Sequence, residues 1–371
     1  MGWRYILQAL PSGDIIESEL PLQNASITDT LSGPRALSGS LPIELSQLKK
    51  PNGETHLDEW SAAIWAEADG EIRGGGIITR TAKSGPQLSV ECTGFTGYLQ
   101  GLPYTGNGKV WTRVDPMDVV RHIWQHAQSY PDGNLGVIVD NTTSPVRLGE
   151  EEYVPIWTEA AGSDTTFDEG PIRLNWYDVH DLGGFIDDLA ERGHFDYAEH
   201  TAWENGQIVH RLRMGYPRIG RRRDDLRFVI GENVGEIPEE SLVEEGYAGY
   251  VRVLGAGEGR EKVDSKVLGS PTGRLRRVAV IVDDTIKRES AAVARARKER
   301  KRRLGVREIT TLVVRDHPNA PIGSWRVGDD IRVVGRAGWS DLDMWVRIVE
   351  SSISPESGEI AQLSVVAAEE Q

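Results

Sequence analysis

The chain has 371 residues, 39% hydrophobic and 27% charged, which excludes a disordered polymer and leaves room for two or three cores. Its net charge of −15 argues against sequence-independent binding of nucleic acid through the whole surface. The single cysteine, Cys92, excludes an internal disulfide and a cysteine-cluster zinc site.

The first third reads as β-structure. Trp3–Leu10 alternates as a strand, the turn Pro11–Asp14 follows, and Ile15–Leu20 returns. Met1–Leu10 has no basic segment followed by an apolar core, and no run approaches bilayer length, so the expectation is a chain made in a cytoplasm without membrane insertion. Asp29–Pro42 reads as a loop, broken by Ser32-Gly33-Pro34 and Ser38-Gly39-Ser40. Trp60–Glu67 fits a strand or a short helix, and Asp69-Gly70 favours the strand because it supplies the positive φ of a tight hairpin turn. Gly74-Gly75-Gly76 marks a bulge or close backbone approach; no helix and no Lys-Ser/Thr pair follow, so it does not read as a phosphate loop. Leu88, Val90 and Cys92 alternate on one face of the next strand, making Cys92 a small buried hydrophobe.

The middle third changes character. Asp115-Pro116 is a helix start, and Val120, Ile123, Trp124 and Ala127 form one apolar face. A second helix is predicted from about Asp181 to Arg192, with Gly193 as its end, among strands at 195–197, 207–214 and 226–230. Gly149–Gly170 reads as a long acidic connection. The last third opens with strands at 248–257 and 274–284. A basic helix over about Thr285–Leu304 and closing hairpins follow. Within Glu67–Leu99 a polar turn leads into an apolar strand at Ile77-Ile78, a Lys-Ser-Gly-Pro turn and an alternating strand, and the same order returns from Gly328.

Candidate chemistry is sparse. His122 and His126 have chelate spacing but lack the glutamate of the metalloprotease motif and a third ligand. Asp164, Asp168 and Glu169 lack the spacing of a calcium loop and read as a solvated acidic loop. Eleven tryptophans leave open a carbohydrate-active or wall-binding protein, which would need two opposed carboxylates. No nucleophile motif is present, so the expectation is no enzyme, no cofactor and no metal. Arg221-Arg222-Arg223, followed by Asp224-Asp225, reads as a neutralised turn. Charge is uneven: residues 1–110 carry −4, 111–243 carry −13 and 244–371 carry +2. Ile286–Arg303 alone carries +7. An acidic docking partner for Arg295, Lys298, Arg300, Lys301, Arg302 and Arg303 is favoured over a solvated helix or a nucleic-acid contact.

The stretch DPMDVVRHIWQHAQSYPDGNLGVIVD (Asp115–Asp140) resembles the helix-to-strand junction of minor tail proteins of siphophages infecting actinobacteria. DGEIRGGGIITR, YVRVLGAGEG and RVGDDIRVVG…VRIVESSISPESGEIAQLSV are similar as well. In architecture these proteins are akin to the baseplate or tail hubs of long-tailed phages. The resemblance implies a mainly β fold with an α+β middle module and two tube-like β-barrel domains per chain. The domains would be a tube-like domain at 1–110, the α+β module at 111–243, and a second tube-like domain with the basic helix at 244–371. It further implies a homotrimer whose six β domains continue a hexameric tube. The partners would be the distal tail protein, the tape-measure protein and tip or fibre proteins, with DNA passing unbound. The place would be the virion tail tip, after assembly in host cytoplasm. The acidic balance suits a DNA conduit, since like charges keep phosphates from sticking.

Overall fold

The computed structural model describes residues 2–49, 53, 55–149, 154–157, 166–235, 240–241, 247–257, 259–273, 275–283, 286, 289–303, 308–337, 340–357 and 360–368. Seven strands open the chain: β1 (Trp3–Ala9), β2 (Ile15–Glu17), β3 (Gln23–Thr30), β4 (Ala36–Pro42), β5 (Ala62–Ala68), β6 (Glu71–Ser84) and β7 (Gln87–Thr93). Then come β8 (Lys109–Trp111), helix α1 (Pro116–Ala127), β9 (Ile138–Val139), β10 (Val154–Trp157), β11 (Thr166–Glu169), β12 (Ile172–Leu174) and helix α2 (Leu182–Gly193). The hairpin β13 (Asp196–Glu204) and β14 (Gln207–Gly215) precedes β15 (Phe228–Val229), β16 (Glu240–Ser241), β17 (Tyr250–Leu254), β18 (Leu268–Gly269) and β19 (Val278–Val282). The chain ends with helix α3 (Glu289–Arg303), β20 (Glu308–Ile309), β21 (Thr311–Arg315), β22 (Asp330–Ala337), β23 (Ser340–Ser354) and β24 (Ile360–Ala367). The protein is thus mainly β with an α+β middle.

Two compact units are present. The first comprises Met1–Leu148, Arg173–Pro238 and Thr311–Gln371. It holds a 12-stranded sheet in the order β15-β22-β23-β3-β4-β7-β6-β5-β1-β2, with β24 also beside β23 and β21 beside β24. The opening and closing β regions therefore share one sheet, joined where Ile27–Thr30 of β3 pairs with Glu350–Ile353 of β23. The segment 29–42, read from sequence as a loop, is mostly strand: β4 lies antiparallel to β7, Leu37 opposite Cys92. The breakers fall at its turn and at Gly39, where a Cβ would lie 2.8 Å from Leu22.

A strand-plus-meander motif occurs twice in this sheet. In the opening copy β5, β6 and β7 run antiparallel in succession, and β4 pairs with β7. In the closing copy β22, β23 and β24 do the same, and β21 pairs with β24. Each central strand is long, 14 residues in β6 and 15 in β23. Each carries a bulge against the third strand, between Ile78 and Arg80 in β6 and between Ile348 and Glu350 in β23. Each leaves its first neighbour at that point, β5 after Ile77 and β22 after Arg347. A bulge bends and twists its strand, so both copies turn at the same place.

The β5–β6 turn has positive φ at Asp69 (52°) and Gly70 (80°), as the Asp-Gly pair predicts. Strand β5 is buried along its whole length. Its Ile64 and Ala66 join the core of Leu7, Ile27, Leu37, Ile78 and Val90, while Ala63 and Trp65 pack with Ile6 and Ile72 against Trp203 and Ile208 of the β13–β14 hairpin. Burial on both faces removes the period-two pattern, which is why 60–67 also fits a helix. The triple glycine lies at close approaches: a Cβ on Gly76 would sit 2.0 Å from the Thr93 carbonyl oxygen.

Helix α1 begins at Asp115, whose carboxylate accepts from Met117 N (3.0 Å), Ser144 N (2.7 Å) and Ser144 Oγ (3.0 Å). Helix α2 begins at Asp181, which accepts from Gly184 N and Gly101 N. Gly193 is its last residue rather than its left-handed cap; His194 takes that conformation at φ 50°. Gly193 instead provides room, since a Cβ there would lie 2.6 Å from Pro116.

The second unit comprises Gly149–Ile172 and Glu239–Thr310. The connection read as a loop contains the antiparallel pair β10–β11, Val154 opposite Glu169, built from the β-prone Val-Pro-Ile-Trp run. A three-stranded sheet, β18-β17-β19, is covered by α3 through Val251, Val253, Ile286, Ala292 and Ala296. Its edge strand β19 leaves Val278, Val280 and Val282 exposed. The basic helix is described from Glu289 rather than Thr285; Thr285 lies outside the described residues.

Candidate functional site

The residues singled out for metal or nucleophile chemistry are occupied in packing. His122 Nδ1 lies 3.2 Å from Lys109 Nζ, and its ring packs edge-on against Trp111. His126 contacts Thr105 at 3.4 Å and packs on Tyr104. Burial holds both below the usual histidine range, with Lys109 adding to the effect at His122. Cys92 is buried in β7, and burial pushes its thiol up, away from the nucleophilic thiolate. Among the described residues, no three His, Cys, Asp or Glu side chains gather as for a metal ion. Asp164 lies outside the described residues, and so do the side chains of Asp168 and Glu169 on β11.

The basic helix contributes to its own unit. Arg300 donates to Gly249 O (3.0 Å) and Ser270 Oγ (2.6 Å), tying α3 to the strand below it. Arg303 pairs with the buried Glu299 one turn earlier. Arg295 is half-buried. Lys298, Lys301 and Arg302 lie on α3, their side chains outside the described residues.

The arginine triplet divides. Arg223 is buried and donates to Asp225 (2.8 and 2.7 Å) and Asp329 (3.2 Å). Arg222 sits 3.4 Å from Asp224 and stacks over Trp345, 3.8 Å from the ring centroid. Arg221 is exposed, and its side chain has no hydrogen-bond or ion-pair partner among the described residues.

Arg221 opens onto a polar cleft in the first unit. Two contiguous cavities, about 310 Å³ and about 530 Å³, share Asp29, Arg35, Glu71, His200 and Arg326. The smaller has an apolar wall of Ile27, Ile72, Trp203, Trp325 and Ile353. The larger is lined by Arg213, Arg221, Arg223 and Asp329. The floor is fixed. Arg35 forms a bidentate pair with Asp29 (2.8 and 2.9 Å). Glu199, buried beside it, accepts from Phe95 N (3.2 Å), Thr96 N (2.8 Å) and Thr96 Oγ1 (2.5 Å). Burial raises the Glu199 carboxyl against those hydrogen bonds and the Arg35 charge. At the apolar end, Glu67 holds Arg4 (2.8 and 2.7 Å) and Trp203 Nε1 (2.7 Å). Arg4 and Trp203 keep its carboxyl below the usual range. Sequence reading missed this cleft, because its side chains come from β3, β6, β13, β14, β23 and the loops after β3, β14 and β21.

No protein-family model matches the sequence, and no curated protein matches it. The structure is similar to the 43 kDa tail protein of prophage MuSo2 from Shewanella oneidensis, at 15% identity and a TM-score of 0.59, covering 98% of this chain and 97% of that one. It is also similar to a tail protein from Neisseria meningitidis MC58, at 15% identity and a TM-score of 0.52, covering 100% of this chain and 97% of that one. The chain therefore has the fold of these tail proteins along essentially its whole length.

Proposed function

We propose that this chain is a structural, non-enzymatic subunit of a phage tail, the hub that joins the tail tube to the tip in a siphophage virion. The observation that carries this reading is the doubled motif: β4 with β5–β7, and β21 with β22–β24, bulged at the same position. Three chains, each with two equivalent modules, present six similar units around an axis and so match a six-fold tube to a three-fold tip. The tail-protein fold and the siphophage-like stretches at Asp115–Asp140 and Arg326–Val365 support it.

In this reading the ring modules belong to 1–110 and 244–371, with 111–243 outside the channel. The distal tail protein, the tape-measure protein and tip or fibre proteins are its neighbours. DNA passes during ejection without specific binding, as an acidic surface favours. The α3 residues Arg295, Lys298, Arg300, Lys301, Arg302 and Arg303 form a docking surface for an acidic neighbour. Native mass spectrometry of the full chain, alone and with the distal tail protein, tests the stoichiometry. Three copies per ring is the expected result; six copies, or absence of the protein from purified virions, would overturn the proposal.

A further inference from the structure

The polar cleft of the first unit is positively charged in a protein of net charge −15. Its acidic side chains are already held. Asp29 is paired with Arg35, Glu71 lies 3.0 Å from Arg73, and Glu199 is bound by Thr96 and Phe95 N. Asp329 accepts from Arg223 and from the main-chain N–H groups of Arg221 and Arg326. Arg213, Arg221 and Arg326 are different. All three are exposed, line the cleft, and have no side-chain hydrogen bond or ion pair among the described residues. Three guanidiniums with unused donors line one cleft, and the carboxylates that act on them, Asp140 on Arg213 and Asp225 on Arg221, do so through space without an ion pair.

Neighbouring groups register that field. His200, which lines both cavities, is pushed down to about 4, first by burial and then by Arg213, Arg326, Arg35 and Arg211. Arg213 itself is lowered by burial and by Arg326 and Arg35. The cleft is also two-ended, because the smaller cavity has the apolar wall of Ile72, Trp203, Trp325 and Ile353. A ligand that fills both ends needs carboxylates or phosphates at one and apolar side chains at the other. A nucleic-acid backbone supplies anions but no aliphatic group, and the chain's overall charge repels it at long range. An acidic polypeptide supplies both.

We infer that this cleft is a docking site for an acidic, apolar-flanked polypeptide segment of a partner protein, its carboxylates on Arg213, Arg221 and Arg326 and its apolar side chains against Trp203 and Ile72. Guanidinium–carboxylate pairing sets the orientation, and the apolar wall sets the register.

The test is fluorescence anisotropy of the full chain with a labelled peptide of three glutamates followed by Leu-Trp-Leu, at low and physiological salt. Saturable binding is expected that weakens severalfold between the two salts. Arg213→Ser with Arg326→Ser should weaken it tenfold or more, while Arg80→Ser, outside the cleft, should leave it unchanged. Replacing Leu-Trp-Leu by Gly-Ser-Gly should weaken binding at least threefold. Thermal melts of each variant separate loss of docking from loss of fold. No saturable binding by a folded chain would overturn the inference, as would equal or tighter binding of a labelled oligothymidylate through the same arginines. The result is independent of stoichiometry: a ring with no peptide binding removes the docking site and leaves the hub reading intact.

Discussion

The two copies of the strand-plus-meander motif share topology but not surroundings. In the opening copy, β5 is buried on both faces, with Trp65 under the β13–β14 hairpin and its indole N–H donating to Gln8 Oε1 at 2.8 Å. In the closing copy one face is buried through Val333, Val346, Ile348 and Leu363, while the other carries an exposed bidentate pair of Arg332 and Asp343 at 2.7 Å. Topology and bulge position are thus held while the outer face diverges. The opening copy should be the more fragile, since buried groups on both sides have no water to fall back on.

The largest effects come from the shared feature. Deleting Thr79 or Val349 removes the bulge residue, keeps every later residue of β6 or β23 opposite its partner and straightens the strand where the bulge bends it, so each deletion should sharply lower the melting temperature. If only one of the pair is sensitive, the equivalence of the two copies fails. Gly76→Ala should come close to this effect in the opening copy alone, because the new methyl would meet the Thr93 carbonyl at 2.0 Å, whereas Gly2→Ala, with nothing within 4 Å, should be neutral in thermal denaturation.

Glu199→Ala leaves Phe95 N and Thr96 N buried without their acceptor and strands Arg35 near a lost charge. A loss of about 3 kcal/mol is expected by urea denaturation, against no measurable loss for Asp343→Ala on the exposed face of the closing copy. Equal losses would mean that the outer faces do not differ as described. His210 sharpens the point through pH. It is buried between Trp65 and Phe95, and burial pushes it down to about 4. The unfolded chain takes up the proton near the ordinary histidine value of about 6.5, so stability is full above that pH and falls as pH drops toward 4. The loss should approach roughly 2–3 kcal/mol, and His210→Phe should flatten that part of the stability–pH curve. Glu67→Gln, at the edge of the same face, should cost about 1–2 kcal/mol near neutral pH. Its lowered carboxyl adds stability above the unfolded carboxylate value that is lost as pH falls through the folded one, so the difference from wild type should shrink in acid.

Local chemistry made much of the fold legible. Asp69-Gly70 announces the β5–β6 hairpin, Asp115-Pro116 the start of α1, and the Leu182, Ile186, Leu189 stripe the buried face of α2. The features that escaped are non-local. Pairing of Ile27 with Ile353 leaves no trace in either segment, and β5 loses its alternation by being buried twice. Gly193 suggests a cap from sequence, yet its role is to make room for Pro116. The docking cleft was illegible for the same reason. Arg221 belongs to the triplet that reads as a neutralised turn, Arg213 and Arg326 carry no sequence motif, and only the fold brings the three to one cleft whose carboxylates are already held. The basic helix was the louder signal, and two of its arginines serve its own unit.

The account stands on the equivalence of the two modules within an assembled ring, and electron cryomicroscopy of the purified tail measures it directly. The predicted map has three chains, with segments 36–93 and 311–367 alternating around one axis at equal radius. Six chains per ring, or either segment lying off that radius, would contradict it.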